Sequence, residues 1–320
     1  MGSETPILPV IDITNLGQPG SPEWELVRSQ VWKASEEYGA FKITDTKIPL
    51  EIPHGVMKGM KELFDLPLQT LTANVSSEPF GGYIGKSTFA PLFESVGIVH
   101  PDNIEKVEAF SAVFWPGGNP SFTKSVIAFA GRAAELEGTI WRMVMESLGL
   151  ESHVDGHVDS VVLSVRGIRY DAPGSEEEKV VGLDSHMDQG VTAILYGNHV
   201  DGLEVEDKDG RWFAARYSEG SFIVILGESF HAWTNGRVYS PYHRVRLSGR
   251  ETRYTFGMFS GFKEGYTVKA PEELVDEQHR LLYKPFDFKE FLAVRLEETK
   301  KMYNSSTIAN YSPIKAYFGA

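Results

Sequence analysis

The sequence contains no cysteine among its 320 residues. This absence excludes disulfide bonds, zinc–thiolate sites, iron–sulfur clusters and thiol nucleophiles. Positive charge is also scarce, because 31 lysines and arginines stand against 44 aspartates and glutamates, which gives a net charge of −13. A protein that neutralises nucleic-acid phosphates or an anionic membrane needs a basic face. We therefore expect neither partner, and an anionic ligand would need a local cationic pocket.

Long apolar runs and targeting signals are missing as well. No stretch approaches the about 18 apolar residues that cross a membrane. The opening MGSETPILPVIDI lacks the basic start and apolar core of a secretory signal, and Pro6 stands where a myristoylation motif has serine or threonine. The overall composition, 42% hydrophobic and 12% aromatic, is typical of a globular protein. We expect a cytoplasmic monomer.

Apolar spacing divides the chain into a helical first half and a strand-rich second half. Apolar residues at helical spacing predict three helices, over 24–38, 53–66 and 121–148. After residue 160, short runs rich in β-branched and aromatic residues predict strands, with Asp209-Gly210 as a hairpin turn. Such strands are typical of an antiparallel sandwich or a jelly roll. Helical texture returns over 271–303.

The predicted fold is therefore mainly β with flanking helices, and it forms a single unit over 1–320. Its expected parts are a helical N-terminal region with pocket loops over about 1–120, a long supporting helix over 121–159, a jelly-roll core over about 160–262 and a C-terminal helical segment over 263–320. The least regular stretch, about 68–120, is glycine-containing and suits a lid or a long loop.

Four histidines stand two residues before an aspartate, a spacing that one kind of iron site uses. Non-haem Fe(II) oxygenases bind the metal through two imidazoles and one carboxylate and leave three positions open. A single such pair is weak evidence, so context has to separate the four. Three of these histidines lie in polar connections, and we expect them to be exposed: His153, His157 and His199. Only His186, with Asp188, begins a strand-rich block, which reads GLDSHMDQGVTAILY.

The second imidazole has to come from a distant strand, and His243 in NGRVYSPYHRVRL is the best-placed candidate. Ten residues later, Arg253 and Thr255 share one face of an apolar strand, because side chains alternate along a strand. A guanidinium beside a hydroxyl can bind a carboxylate. Other candidates for such an anchor are Arg166, Arg169 and Arg244. We find no convincing G-x-S-x-G, HExxH or phosphate-binding loop.

These segments resemble the plant 2-oxoglutarate and Fe(II)-dependent dioxygenases over almost the whole chain. LPVIDI is similar to the N-terminal signature of that family, GLEVEDKDGRW to the hairpin between the metal-binding segments, and WTNGRVYSPYHRV to the distal-histidine block. The triplet Arg253-Tyr-Thr255 corresponds to the Arg-x-Ser of the family. LDSHMDQGVTAILY and RYTFGMFS look most like the AOP-like branch, to which glucosinolate side-chain oxygenases belong.

The resemblance implies a double-stranded β-helix, or jelly roll, with Fe(II) on His186, Asp188 and His243. It implies 2-oxoglutarate as cosubstrate, held by Arg253, Thr255 and Tyr170, together with O₂ and supporting ascorbate. The implied reaction hydroxylates, desaturates or dealkylates a small plant specialised metabolite and releases succinate and CO₂. The alternatives are a degenerate jelly roll that binds a small molecule without turnover and a metal-free jelly roll that binds a partner.

Two family motifs are altered in this sequence. The Asn-x-Tyr motif reads Ile168-Arg169-Tyr170, so the asparagine is lost, and Gly-Phe-Phe reads Gly39-Ala40-Phe41. The motifs do not specify the substrate. By resemblance, the walls of its pocket are six aromatic side chains, each of which could instead belong to the ordinary core: Phe89, Phe93, Phe114, Trp115, Tyr196 and Phe259.

Overall fold

The computed structural model describes residues 7–45, 47–88, 90–305 and 313–320, with side chains at all of these positions except 175–178, 299–305 and 313. The helices of this part of the chain are α1 (Pro22–Glu37), α2 (Glu51–Phe64), α3 (Leu68–Thr72), α4 (Ile104–Phe114), α5 (Pro120–Leu148), α6 (His157–Ser160), α7 (Glu228–Trp233), α8 (Phe288–Ser305) and α9 (Pro313–Phe318). None of them is both long and apolar enough to cross a membrane.

The strands of the described ranges form two large sheets and one small one. They are β1 (Val10–Asp12), β2 (Ala40–Thr44), β3 (Gly82–Ile84), β4 (Phe93–Val99), β5 (Val161–Tyr170), β6 (Ser175–His186), β7 (Thr192–Gly197), β8 (Leu203–Glu206), β9 (Trp212–Ala214), β10 (Ser221–Leu226), β11 (His243–Gly249), β12 (Arg253–Phe262), β13 (Thr267–Val268) and β14 (Phe286–Asp287). The larger sheet has the order β1-β2-β10-β7-β12-β5-β4-β3, the second β6-β11-β8-β9, and β13 pairs with β14.

The three predicted helices are confirmed as α1, α2 and α5, and local capping explains where the longest one begins and ends. The Asn119 side chain accepts a hydrogen bond from the Phe122 N–H, and Pro120 occupies the first turn, where no donor is needed. At the other end Gly149 adopts a left-handed φ of 71°, which stops the helix. The predicted hairpin at Asp209-Gly210 is also confirmed, because β8 and β9 pair across it.

Two hydrophobic cores lie on opposite faces of the larger sheet. One face packs against α1, α2, α4 and α5, with Phe129 of α5 against Phe222 and Phe256. The other face packs against the second sheet, where Leu195 of β7 and Val245 of β11 belong to one buried cluster. Antiparallel strands in two facing sheets are the predicted jelly-roll architecture.

The structure is more regular than predicted in the N-terminal third. Strands β1 to β4 all join the larger sheet, and the stretch over 68–120 holds α3, β3, β4 and α4 instead of an irregular loop. Strand β4 reads FESVGIV and is buried on both faces through its middle, so it shows no alternation of polar and apolar residues. The helical texture over 271–303 corresponds to a regular helix only from Phe288 onwards.

Candidate metal and cosubstrate site

His186, Asp188 and His243 lie together, although 55 residues separate the last two. His186 ends β6 and His243 begins β11, and the antiparallel pairing of these strands places the two histidines directly opposite each other. Their ring centroids are 4.2 Å apart, and Asp188 Oδ1 lies 3.7 Å from His243 Nε2. One ligand atom from each of the three residues lies within 4.8 Å of the other two. The cluster is therefore able to hold one metal ion.

Backbone contacts fix the turn that carries Asp188. The Glu228 N–H donates to the Asp188 carbonyl over 2.7 Å, and the Val191 N–H donates to the Ser260 carbonyl over 2.8 Å. A Cβ on Gly190 would stand 2.2 Å from the Ser260 carbonyl oxygen, which is closer than real contacts allow. Glycine at this position lets the turn lie flat on β12. The carboxylate is thus aimed at the two histidines by main-chain packing.

The histidines present the nitrogens that a metal requires. His186 Nδ1–H donates to the Asp184 carbonyl over 2.8 Å, and His243 Nδ1–H donates to the Pro241 carbonyl over 3.4 Å. In each neutral ring the proton is therefore on Nδ1, and Nε2 keeps a lone pair that can bind a metal. Burial, with the neighbouring His243, lowers the pKa of His186 to about 3, so the ring is neutral. Two neutral imidazoles and one carboxylate are the donor set of non-haem Fe(II) oxygenases, so the residues fit that metal.

Arg253 is a buried cation with unused hydrogen-bond donors. Its side chain is 2% exposed, and neither Nε nor Nη1 has a hydrogen-bond partner among the described residues. Its guanidinium carbon lies 5.3 Å from the ring centroid of Tyr170 and 5.6 Å from that of Tyr217. Burying a guanidinium without a counter-charge is costly. The arrangement is therefore suited to receive a carboxylate.

Thr255 and Tyr170 lie beside Arg253, as their strands require. Thr255 is two residues along β12 from Arg253, and Tyr170 of β5 is paired with Arg253. The Thr255 hydroxyl donates to the Tyr196 carbonyl over 2.8 Å. Burial raises the pKa of Tyr170 above its usual range, so the phenol keeps its proton and can donate it in a hydrogen bond.

Tyr217 belongs to the same group but was missed by the sequence analysis. Its hydroxyl lies 3.1 Å from Thr255 Oγ1, and Arg253 Nη2 donates to it over 3.5 Å. The residue stands in the connection between β9 and β10, where no spacing rule points to it. Its ring rests on Gly197 of β7, where a Cβ would be only 2.4 Å from the ring.

One cavity of about 750 Å³ connects the metal-ligand cluster with Arg253. It is lined by predicted wall residues Phe93 and Phe259, and by Ile168, which replaces the family asparagine. Helix α8 covers part of it with Leu292 and Leu296. The volume is in the range usual for small-molecule sites.

Three predicted wall residues lie elsewhere, and their assignment to the pocket was wrong. Phe114 contacts Phe110 within α4 and belongs to the hydrophobic core on the helix-covered face, and Trp115 contacts Phe122 of α5. Tyr196 contacts Phe222 and Phe256 on the helix-covered face of the larger sheet. Side chains alternate along β7, so Tyr196 points away from the face that Leu195 presents to the cavity. Phe89, the remaining candidate, lies outside the described residues.

The alternative anchors and the other histidines are also placed. Arg169 pairs with Glu94 on the far face of β5, and Arg244 donates to Glu204 over 2.8 Å, so both have carboxylate partners. The side chain of His199 is 79% exposed, as predicted for a polar connection. His153 is only half-buried rather than fully exposed, because its ring packs edge-on against Trp233 and its Nε2 lies 3.3 Å from Glu273.

The prediction that His157 is exposed was wrong. Its side chain is 3% exposed, and its ring stacks on Trp141 at 3.8 Å with Glu137 Oε1 3.4 Å from Nε2. Helix α5 supplies both contacts, so tertiary packing buries a histidine whose local sequence is polar.

Comparison with known proteins agrees with this geometry. Residues 162–261 match the model of the 2OG-Fe(II) oxygenase superfamily, and residues 8–105 match the model described as non-haem dioxygenase in morphine synthesis N-terminal. The probable 2-oxoglutarate-dependent dioxygenase AOP1.2 of Arabidopsis thaliana is 40% identical over 291 residues, which are 89% of this chain and 89% of that protein. The 2-oxoglutarate-dependent dioxygenase AOP3 of the same plant is 31% identical and covers 90% of this chain and 93% of its own length.

Solved structures share the fold. The dioxygenase for auxin oxidation from rice superposes with a TM-score of 0.80 at 26% identity, covering 98% of this chain and 100% of that one. JOX2 in complex with 2OG, Fe and JA superposes with a TM-score of 0.74 at 21% identity, covering 90% of this chain and 85% of that one. The family match, the identity over most of both chains and the His–Asp–His cluster lead to one assignment. This chain belongs to the 2OG-Fe(II) oxygenase superfamily and is a 2-oxoglutarate-dependent dioxygenase.

Proposed function

We propose that His186, Asp188 and His243 bind Fe(II), and that Arg253 and Thr255 bind the distal carboxylate of 2-oxoglutarate. The observation that carries this assignment is the burial of Arg253 without a counter-charge in the cavity that holds the three metal-binding side chains. A dianionic cosubstrate entering a protein of net charge −13 needs such a cation. A bound carboxylate would accept hydrogen bonds from the free Nε and Nη1 groups.

The other residues around the cosubstrate have supporting roles. Tyr170 and Tyr217 place aromatic rings against the guanidinium and restrict its position, and Thr255 adds a hydroxyl. Bound Fe(II) supplies oxidation of a nearby substrate by O₂, coupled to the conversion of 2-oxoglutarate to succinate and CO₂. The apolar walls at Phe93 and Phe259 hold the substrate and keep water away.

The proposed substrate is a small plant metabolite that is hydroxylated, desaturated or dealkylated. Its membership of specialised metabolism, the support by ascorbate, the cytoplasmic location and the monomeric state stay predictions of the sequence. A degenerate binding protein is less well supported, because every donor of the metal and carboxylate positions is present in the structure.

Incubation of the protein with a plant metabolite extract, Fe(II), ascorbate and 2-oxoglutarate tests the proposal. We expect extract-dependent succinate release and, by mass spectrometry, a metabolite whose mass changes by the gain of oxygen, the loss of two hydrogens or the loss of an alkyl group. His186→Ala should abolish both signals, whereas His199→Ala, a matched change at an exposed His-x-Asp pair, should leave them intact. Iron-dependent 2-oxoglutarate binding without any consumed metabolite would favour the binding protein.

A further inference from the structure

Arg166 is a second cation in the cavity without an acidic partner. Four lysines and arginines of the described residues line this cavity, and two of them face carboxylates: Lys289 pairs with Glu264, and Arg295 Nε lies 3.8 Å from Glu228. Within the described part of the chain, no carboxylate oxygen lies within 4.0 Å of Arg166 or Arg253. The cosubstrate accounts for Arg253 and leaves Arg166 without a counter-charge.

The Arg166 guanidinium is held in place with donors to spare. Nη1 donates to Ser95 Oγ over 2.6 Å and Nη2 donates to the Phe80 carbonyl over 2.7 Å. A guanidinium has five N–H donors, and both of these acceptors are neutral. Burial without a compensating negative charge lowers the pKa of Arg166 to about 10, so it is still protonated at neutral pH. A Cβ on Gly97 would stand 2.9 Å from Nη2, so glycine there leaves room for the group.

The position of Arg166 separates it from the cosubstrate. Arg166, Ile168 and Tyr170 share the cavity face of β5, because alternate residues of a strand point to the same side. Four residues of strand place Arg166 roughly 13 Å from Tyr170, which lies beside Arg253. Ile168 stands on the wall between the two ends, and Phe93, which pairs with Tyr170, lies at the Arg253 end. This wall of the cavity therefore has one guanidinium without a carboxylate partner at each end, Arg166 and Arg253, and the apolar Ile168 between them.

We infer that Arg166 binds an acidic group of the substrate, so that the enzyme oxidises a small, largely apolar molecule that carries a carboxylate. This inference rests on the proposed function, because it assigns the Arg253 end to 2-oxoglutarate. Charge-assisted hydrogen bonds from a fixed guanidinium give a carboxylate a clear advantage over a neutral group of the same shape. Phe93, Phe259 and Ile168 supply contacts for the apolar body.

Paired ligands that differ only in charge test the inference by binding. The protein is loaded with Mn(II), in place of Fe(II), and with saturating 2-oxoglutarate, so that the Arg253 end is filled. The probes are phenylacetate, 3-phenylpropanoate, hexanoate and decanoate, each beside its primary amide, measured by calorimetry. We expect wild type to bind at least one acid about tenfold or more tightly than its amide. Arg166→Met should remove that preference, and Arg166→Lys should retain part of it.

Controls separate this role from structural support and from cosubstrate binding. Lys289→Met removes another cavity cation, one with a carboxylate partner, and should keep the preference for the acid. Arg166→Met should bind 2-oxoglutarate as wild type does. Arg166→Lys is the conservative variant that distinguishes loss of acid binding from a folding defect caused by losing the contacts to Ser95 and Phe80. Acids that bind no better than their amides, or that bind Arg166→Met as tightly as wild type, would overturn the inference. So would a loss of 2-oxoglutarate affinity in Arg166→Met.

Fractionation of the metabolite extract links the inference to turnover. After anion exchange at pH 8, the retained pool should support succinate release and the unretained pool should not. Activity only in the unretained pool would refute the acidic substrate and leave the proposed oxygenase function standing. Failure of both pools, together with an intact acid preference in the binding assay, would instead count against the proposed oxidation and support the acid site.

Discussion

Replacing Arg253 by methionine should weaken 2-oxoglutarate binding by roughly two to three and a half powers of ten. Methionine keeps a long apolar stem and removes the charge at a position that is only 2% exposed. Removing one partner of a buried charge pair costs about 3–5 kcal/mol, because the other is left uncompensated. Each factor of ten in affinity corresponds to about 1.4 kcal/mol. The apparent KM for 2-oxoglutarate should therefore rise about a hundredfold or more.

Titration of 2-oxoglutarate against succinate release measures the effect, and two further measurements locate it. Fe(II) affinity without cosubstrate should stay unchanged, because the guanidinium is not a metal ligand. Arg253→Lys should recover only part of the loss, since an ammonium cannot reproduce the two-pronged contact of a guanidinium. Without cosubstrate, Arg253→Met should be at least as stable as wild type, because it removes an uncompensated buried charge. Added 2-oxoglutarate should raise the melting temperature of wild type but not of the variant.

A variant that titrates like wild type would refute this reasoning. The carboxylate would then have to bind elsewhere in the cavity, and Arg166 would be the next candidate, since Arg169 and Arg244 already have carboxylate partners. A weaker Fe(II) site in Arg253→Met would also count against it, because the residue would then act through the fold.

Three further predictions follow from individual contacts. His186→Ala should abolish Fe(II) binding measured by calorimetry, whereas His199→Ala should not, and equal loss in both would contradict the assignment of the metal site. His157→Ala should lower the free energy of unfolding by about 2–4 kcal/mol in denaturant titrations, because it empties a buried position where the ring stacks on Trp141. A change within about 0.5 kcal/mol would mean that the ring adds nothing to the core. Tyr217→Phe should raise the KM for 2-oxoglutarate about five- to tenfold through loss of one hydroxyl contact, and an unchanged KM would exclude that hydroxyl from cosubstrate binding.

The metal cluster could be predicted because its residues carry both chemistry and position. His186 and Asp188 are two residues apart at the end of a strand, so local geometry alone brings them together. His243 had to come from a distant strand, and the sequence offered it only as the best-placed candidate, within NGRVYSPYHRVRL. What the sequence could not supply was the register of β6 against β11, which places the two histidines opposite each other. The resemblance to a known family provided that information indirectly.

The residues of the cavity walls were harder to predict. Side chains alternate along a strand, but this alternation does not say which face of the sheet packs against helices and which faces the cavity. Phe259 is an even number of residues from Arg253 and Thr255, so it shares their face, and this signal was available. Tyr196 lies on another strand, and only its pairing with Phe256 shows that it faces the helices. His157 shows the same limit on a helix: its local sequence is polar, but Trp141 from α5 covers it.

The replacement of the family asparagine by Ile168 affects the polarity of the cavity wall. From the sequence alone, it is only the loss of a polar contact near Tyr170. On β5, Ile168 lies between Tyr170 and Arg166, opposite Thr255, and faces the cavity. An asparagine there would place an amide between the two cationic ends, where it would need hydrogen-bond partners of its own. Isoleucine keeps this stretch of wall apolar, so the two guanidiniums are the strong polar anchors of β5 and β12. That pattern suits a ligand pair in which the cosubstrate and the substrate each present one carboxylate to its own arginine and share an apolar surface between them.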